Sequence, residues 1–148
     1  MRAVVQRVFR GAVRAEGVTT GTIGPGLFVL LGIERSDGEE QLAFMVEKVL
    51  NLRVFEDEEG KMNRSLLETG GELLVVSQFT LYGDARKGRR PSYNRAASPE
   101  HARPLYQQFL QKASDRVKVG GGSFGDHMDI DLQLNGPVTV LLDSEKQF

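Results

Sequence analysis

The sequence predicts a mixed α and β (α/β) domain, with strand-helix-strand units inside a larger mixed sheet and two main helices. Three observations carry this reading. β-branched residues dominate positions 1–33, with turn signals at Glu16-Gly17 and Gly24-Pro25-Gly26. Two later stretches repeat apolar residues at helical spacing, and near the end Met128, Ile130, Leu132 and Leu134 alternate with Asp129, Asp131 and Gln133. A chain of 148 residues fits one domain spanning 1–148 and is long enough to bury a core without staples.

Taken in order, the opening strands give way to a first helix. Ser36 and Asp37 are N-cap types, each with a glutamate three positions on (Glu39, Glu40), and Leu42, Met45, Val46, Val49 and Leu50 form one apolar stripe. A short strand at Arg53-Val54-Phe55 and a turn at Glu59-Gly60 follow. Leu73 to Leu81 reads as one buried strand that becomes half polar at its carboxyl end, where α/β arrangements commonly meet a ligand. Ser98-Pro99 supplies an N-cap and an N1 proline for a second helix with Ala102, Leu105, Tyr106, Phe109, Leu110 and Ala113 facing the core; Pro104 predicts a kink or a delayed start. Asn135-Gly136-Pro137 then predicts a tight turn between two closing strands, 128–134 and 138–142.

Composition excludes several classes of chemistry. Without cysteine there is no disulfide, thiolate nucleophile or Cys zinc site, and two histidines without a His-Glu-x-x-His spacing do not suggest a catalytic metal. The longest apolar run, Leu27–Leu31, is far short of the ~20 residues of a spanning helix, and charge within the first residues spoils a secretory signal. A cytoplasmic chain without membrane contact, metal or cofactor is the expectation.

Nucleophilic and phosphate-loop readings are weak. Neither His101 nor His127 can be placed beside Ser77 or Thr80 from sequence, no Gly-x-Ser-x-Gly elbow occurs, and Gly120-Gly121-Gly122-Ser123 lacks the lysine of a phosphate loop and reads as a flexible turn. Glu56-Asp57-Glu58-Glu59 reads as a solvated hairpin tip rather than a metal site.

One basic concentration stands out. Arg86, Lys87, Arg89, Arg90 and Arg95 lie in an acid-free stretch; without them 14 cations face 20 acids. Pro91 and Tyr93 interleave with these charges, a composition suited to phosphates plus a stacking platform for a single-stranded nucleic-acid end. A merely solvated loop is the bland alternative, but its position directly after the polar strand end favours contacts beside a site.

Ser77-Gln78-Phe79-Thr80-Leu81 together with Asn135-Gly136-Pro137-Val138-Thr139 resembles the motif pair of the D-aminoacyl-tRNA deacylases of bacterial and eukaryotic type. Val5-Gln6-Arg7-Val8, Gly60-Lys61-Met62-Asn63, Arg90-Pro91-Ser92 and Ala97-Ser98-Pro99 extend the likeness over essentially the whole chain. It departs before Met128, where the family commonly has Thr-Gly-x-Phe and this chain reads Gly121-Gly122-Ser123-Phe124-Gly125-Asp126-His127.

The resemblance implies a barrel-like sheet body and a homodimer that hydrolyses the ester joining a D-amino acid to the 3'-terminal adenosine of tRNA. It implies that L-aminoacyl-tRNA is spared and that glycyl-tRNA is not excluded. Ser77, Gln78, Phe79 and Thr80 would be the catalytic strand end, with the Phe79 and Thr80 main chain near the scissile carbonyl. The Thr80 hydroxyl would act either as nucleophile or in positioning, with the substrate's 2'-hydroxyl activating water in the second case; no obvious base beside Thr80 favours positioning. Gly136 and Pro137, joined by a cis bond and inserted into the other subunit's site, would select chirality with Met128 nearby. The ester is already activated, so positioning and backbone donors for the oxyanion suffice without a strong nucleophile. Arg86, Lys87, Arg89, Arg90 and Arg95 would hold tRNA. The rival readings are a non-catalytic RNA-binding module and a small-molecule ester or amide hydrolase.

Overall fold

β1 (Arg2–Ala15) organises the sheet in the computed structural model, which describes residues 1–148. Along one edge it pairs antiparallel with β8 (Met128–Asp143) from Arg2 to Ala15. Its other edge is shared: β3 (Gly26–Gly32) pairs with the first half and β2 (Val18–Ile23) with the second. The Glu16-Gly17 connection turns through left-handed φ values of 50° and 76°, the second suited to glycine. β6 (Glu72–Ser77) lies parallel to β3 and β7 (Val119–Gly121) parallel to β6, giving the order β2-β1-β3-β6-β7 with β8 against β1. The two parallel crossovers carry α1 (Glu39–Asn51) and α3 (Pro99–Ser114), as the strand-helix-strand reading expects.

The hydrogen-bonded path stops at β2 and β7, and glycines bring these ends together. A Cβ on Gly21 would lie 2.9 Å from both the nitrogen and the oxygen of Gly121, and one on Gly121 would lie 2.9 Å from Leu110. Gly120-Gly121 is therefore a strand at the seam of a nearly closed barrel, not the flexible turn its composition suggests.

Alternation along β6 serves two cores. Leu73 and Val75 face the helices, meeting Leu42, Met45 and Val49 of α1 and Tyr106 and Phe109 of α3. Leu74 and Val76 face the barrel interior with Val8, Val13, Ile23 and Phe28. The apolar stripes of both helices are buried as their spacing predicts.

Several local expectations are corrected. α1 is capped at Gly38, whose N–H donates to Gln41 Oε1 at 2.9 Å. Asp37 is buried instead, 2.6 Å from the Met1 ammonium and 2.7 Å from the Glu34 N–H. The strand expected at Arg53–Phe55 is β4 (Phe55–Glu56), paired with β5 (Met62–Arg64) in a hairpin whose tip is tied by Asp57 accepting from the Glu59 and Lys61 N–H groups. A short α2 (Leu66–Thr69) follows, capped by the reciprocal Ser65–Glu68 pair. α3 starts at Pro99 and runs on through Pro104, so its start is not delayed.

Two corrections bear on the site. β6 ends at Ser77, and Phe79–Tyr82 forms a 3-10 turn rather than more strand. The Gln78 N–H donates to the Leu31 carbonyl at 2.8 Å; β3 then ends at Gly32, over which the turn folds. A Cβ on Gly32 would stand 3.0 Å from Leu81 Cβ and 3.1 Å from the Gln78 oxygen. In place of two strands around a hairpin turn, β8 is one strand: Gln6 faces Thr139 and Val8 faces Leu134, so three extra residues loop out around Asn135-Gly136-Pro137. The Gly136-Pro137 peptide is cis, as the resemblance implies.

Candidate active site

A cleft of about 570 Å³ opens where β6 runs into the 3-10 turn. Ser77, Gln78 and Phe79 form one wall; Leu31, Ile33 and Val76 form its apolar floor; Pro99 and Ala102 at the start of α3 close one side. The opposite wall is the segment from Phe124 to Met128 together with Ile130. Tyr106 positions this wall: its buried hydroxyl donates to the Val75 carbonyl at 2.8 Å and approaches the Gly122 carbonyl at 3.2 Å, tying β6 to the facing segment. Burial pushes that hydroxyl up to about 12, so it stays protonated as a donor. Met128 packs against Gly122, where a Cβ would stand 2.7 Å from the Met128 sulfur.

The 3-10 turn presents main-chain donors. Within it, Leu81 N–H bonds to the Gln78 carbonyl and Gly83 N–H to the Thr80 carbonyl, which leaves the Phe79 and Thr80 N–H groups without a partner inside the turn. Thr80 itself is exposed and lies outside the cleft lining; its hydroxyl accepts from the Gln78 side-chain amide. Neither histidine bonds to Ser77 or Thr80. His101 Nε2 is 2.7 Å from the Asp37 carbonyl, whereas His127 lines the cleft without a hydrogen bond in the chain. No triad is assembled.

Sequence reasoning finds Ser77, Gln78, Phe79 and Met128 in this cleft, and the turn before Met128 that the resemblance makes a pocket wall supplies Phe124, Asp126 and His127; Ile130 is not anticipated. Phe124 packs 5.8 Å from the Tyr106 ring, and Asp126 accepts from the Ser123 hydroxyl. Those residues come together because β7 pairs with β6 and the segment that follows it leads across the cleft into β8, which pairs with β1. Apart from the resemblance, the only local signal was the aromatic residue within a glycine-rich stretch.

Beyond Phe79 the basic loop divides into two kinds of cation. Arg86 is paired with Asp84, 2.9 Å from Nε and 2.5 Å from Nη2, and holds that carboxyl well below the usual range. Arg95 bridges Glu34 at 2.6 Å and Glu145 at 2.8 Å and lies over the Tyr82 ring. Lys87, Arg89 and Arg90 are exposed and form no ion pair. Tyr93 stands edge-on to Phe79, with centroids 5.1 Å apart, and both rings are partly open to solvent.

Gly136 and Pro137 are exposed and are not brought to the cleft of their own chain. Ile130, at the cleft, is four strand residues before Leu134, or ~13 Å away at the usual rise, and the bulge begins only after it. No helix is long and apolar enough to cross a membrane.

Comparison with known proteins fits this arrangement. The family model described as D-Tyr-tRNA(Tyr) deacylase matches residues 4–143. The D-aminoacyl-tRNA deacylase of Kosmotoga olearia is 58% identical over 148 residues, covering 100% of both chains. That of Clostridioides difficile is 56% identical over 149 residues, again covering 100% of each. A solved structure described as a c-Myc DNA unwinding element binding protein superposes with a TM-score of 0.90 at 42% identity, covering 97% of this chain and 98% of its own. A probable eukaryotic D-amino acid tRNA deacylase shares the fold, with a TM-score of 0.79 at 21% identity over 95% of this chain and 97% of that one.

Proposed function

The chain belongs to the D-Tyr-tRNA(Tyr) deacylase family, and from that premise we propose how its cleft carries out the reaction and selects its substrate. The enzyme is a hydrolase that cleaves the ester bond of D-aminoacyl-tRNA. A tRNA substrate supports a cytoplasmic location for it.

The terminal aminoacyl-adenosine enters the 570 Å³ cleft with its ester at the start of the 3-10 turn. The Phe79 and Thr80 N–H groups point at the oxyanion that develops as water attacks, and their fixed dipoles stabilise it without reorganisation. Ser77 and Gln78 shape the wall on which the ester rests. Thr80 positions and does not attack: its hydroxyl is held by Gln78, and no basic side chain hydrogen-bonds to it. The 2'-hydroxyl of the substrate's own ribose activates the water.

Chirality selection comes from a second copy of the chain. The observation that carries this is the exposed Gly136-Pro137 bulge, thrust out of β8 and remote from its own cleft. In a homodimer the bulge of one protomer closes the cleft of its partner beside Met128. The main-chain carbonyls of Gly136 and Pro137 accept from the substrate ammonium and fix the α-carbon. An L side chain then runs into the bulge, a D side chain points outward, and glycine, with no side chain, is admitted.

Lys87, Arg89 and Arg90 hold the tRNA backbone beyond Phe79, while Arg86 and Arg95 serve that loop through their ion pairs. Deacylation of matched D- and L-aminoacyl-tRNA by the purified protein tests the whole reading. Rapid release of the D-amino acid and of glycine with L-aminoacyl-tRNA intact is expected. Equal turnover of both enantiomers would overturn the chirality assignment, and tight tRNA binding without turnover would favour a binding module.

A further inference from the structure

Arg103 is a cation at the cleft rim that nothing in the chain neutralises. It is exposed on the second turn of α3, one residue after Ala102, which lines the cleft. Its guanidinium carbon lies 4.7 Å from the centroid of Phe124, a ring of the facing wall, and its Nη2 would be 3.9 Å from a Cβ on Gly125, also in the lining. It takes part in no ion pair. The nearest acids by sequence and by wall are otherwise engaged. The Glu100 carboxyl is held below its usual range by main-chain and Ser98 hydrogen bonds at the start of its own helix, and Asp126 accepts from Ser123.

A guanidinium that rests on an aromatic face is fixed in orientation while its N–H edges remain free, which suits it to a planar or tetrahedral oxyanion. It stands on a different element from the basic loop, against the wall facing Ser77–Phe79. We propose that Arg103 is a binding residue for the phosphodiester on the 5' side of the terminal nucleoside, so that the substrate is gripped at its last phosphate as well as along the backbone held by the basic loop. The proposal rests on the deacylase reading and adds a contact to the same cleft. It gives a role to an arginine left unpaired at the rim, where Arg95 of the basic loop is by contrast paired twice.

The test compares two substrates that differ only in that phosphate: D-aminoacyl-tRNA and the D-aminoacyl ester of adenosine. Arg103→Gln is expected to raise KM for the tRNA about tenfold with little change in kcat, as loss of a charge-assisted bond would. It should also flatten the slope of log KM against log salt by about 0.7, one single-strand phosphate contact. Turnover of the adenosine ester should not change, and Arg103→Lys, which keeps the charge, should recover part of the loss. Adenosine 5'-monophosphate should inhibit the wild type more strongly than adenosine does, and Arg103→Gln should remove that difference. An equal fall for both substrates would show that Arg103 acts only by propping Phe124, and an unchanged KM for tRNA would show no contact; either overturns the proposal. Wild-type protein that hydrolyses neither substrate would overturn the deacylase reading itself, a result separate from the other two.

Discussion

The Nε of Arg7 donates to the main-chain carbonyl of Asn135 at 3.0 Å, and Nη1 of the same side chain donates to the Val54 carbonyl at 2.6 Å. Arg7 is only 7% exposed and has no carboxylate partner, so its charge is satisfied by main-chain oxygens alone. The guanidinium fork thus ties the base of the Gly136-Pro137 bulge to the segment entering β4. A bulge of three extra residues would otherwise hang from the sheet by its two ends.

Arg7→Met keeps the stem and removes both donors, stranding two carbonyls. A loss of roughly 2–3 kcal/mol is expected, read as a fall of about 5–10 °C in Tm. Arg7→Lys should recover only part, because a point ammonium cannot bridge both oxygens. An unchanged Tm in Arg7→Met would show that the two bonds do not hold the bulge.

The division of the basic loop leads to opposite outcomes for its arginines. Replacing Arg89 and Arg90 together by alanine should raise KM for charged tRNA and flatten its salt dependence by about 0.7 per lost contact, with Tm unchanged. Arg95→Ala should instead lower Tm, because it strands the buried Glu34 beside a hydroxyl of Tyr82 that has no partner. Steady-state kinetics across a salt series, with melts of the same samples, separates the two. Identical kinetics for wild type and the Arg89/Arg90 variant at every salt concentration would remove the loop from the tRNA interface.

Much of this was legible locally, and what was not depends on a distant partner. The stripes of α1 and α3 are properties of their own residues, and they are buried as their spacing says. Asp37 has the chemistry of an N-cap, but the Met1 ammonium 36 residues away takes it. Phe79-Thr80-Leu81 suits a strand, yet a strand needs a neighbour and β3 has ended at Gly32. Asn135-Gly136-Pro137 reads equally well as a hairpin turn or as a bulge; the register against β1, from Gln6 with Thr139 to Val8 with Leu134, decides it. At the cleft, Ser77–Phe79 stands out by motif, whereas Ile130 arrives only because the segment after β7, itself paired with β6, leads across the cleft into β8.

The seam of the barrel should be intolerant of a single methyl group. Gly21→Ala places a Cβ 2.9 Å from main-chain atoms of Gly121, which cannot swing away as a side-chain tip can. A loss of about 1–3 kcal/mol is expected. Gly24→Ala, whose Cβ would meet nothing closer than a Glu72 oxygen at 4.0 Å, should cost much less. Urea denaturation of both variants checks this, and equal midpoints would show that β2 and β7 do not need the close approach.

Glu72 gives the stability an acid limb. Its carboxylate accepts from the Gly24 N–H at 2.8 Å and from Lys118 at 3.2 Å, and these hold it below its usual range, the Gly24 bond foremost. A depressed carboxyl stabilises the fold above its unfolded value, ~4.3, and that contribution is lost as pH falls through the lower folded value. Glu72→Gln should therefore melt below wild type at neutral pH and converge with it in acid. A constant gap at all pH values would show that the carboxylate's charge is not what Gly24 and Lys118 recognise.

The proposed sharing of the site between two protomers makes the strongest prediction, because it concerns two copies at once. Gly136→Ala puts a Cβ 2.3 Å from the Val138 nitrogen, so the bulge must shift and its carbonyls leave their positions. Ser77→Phe fills the cleft wall from the other side. Each variant alone, once shown by its melt to be folded, should have lost D-aminoacyl-tRNA deacylation. Unfolding and refolding them together in equal amounts gives half mixed dimers, each with one site built from an intact cleft and an intact bulge. About a quarter of wild-type activity should return. Recovery on that scale requires that Gly136-Pro137 of one protomer complete the cleft of the other, since no chain in the mixture carries both intact parts. If the mixture stays inactive while the two variants demonstrably exchange subunits, the bulge serves the cleft of its own chain or none, and selection between D and L substrates must come from the walls at Ser77–Phe79 and Met128.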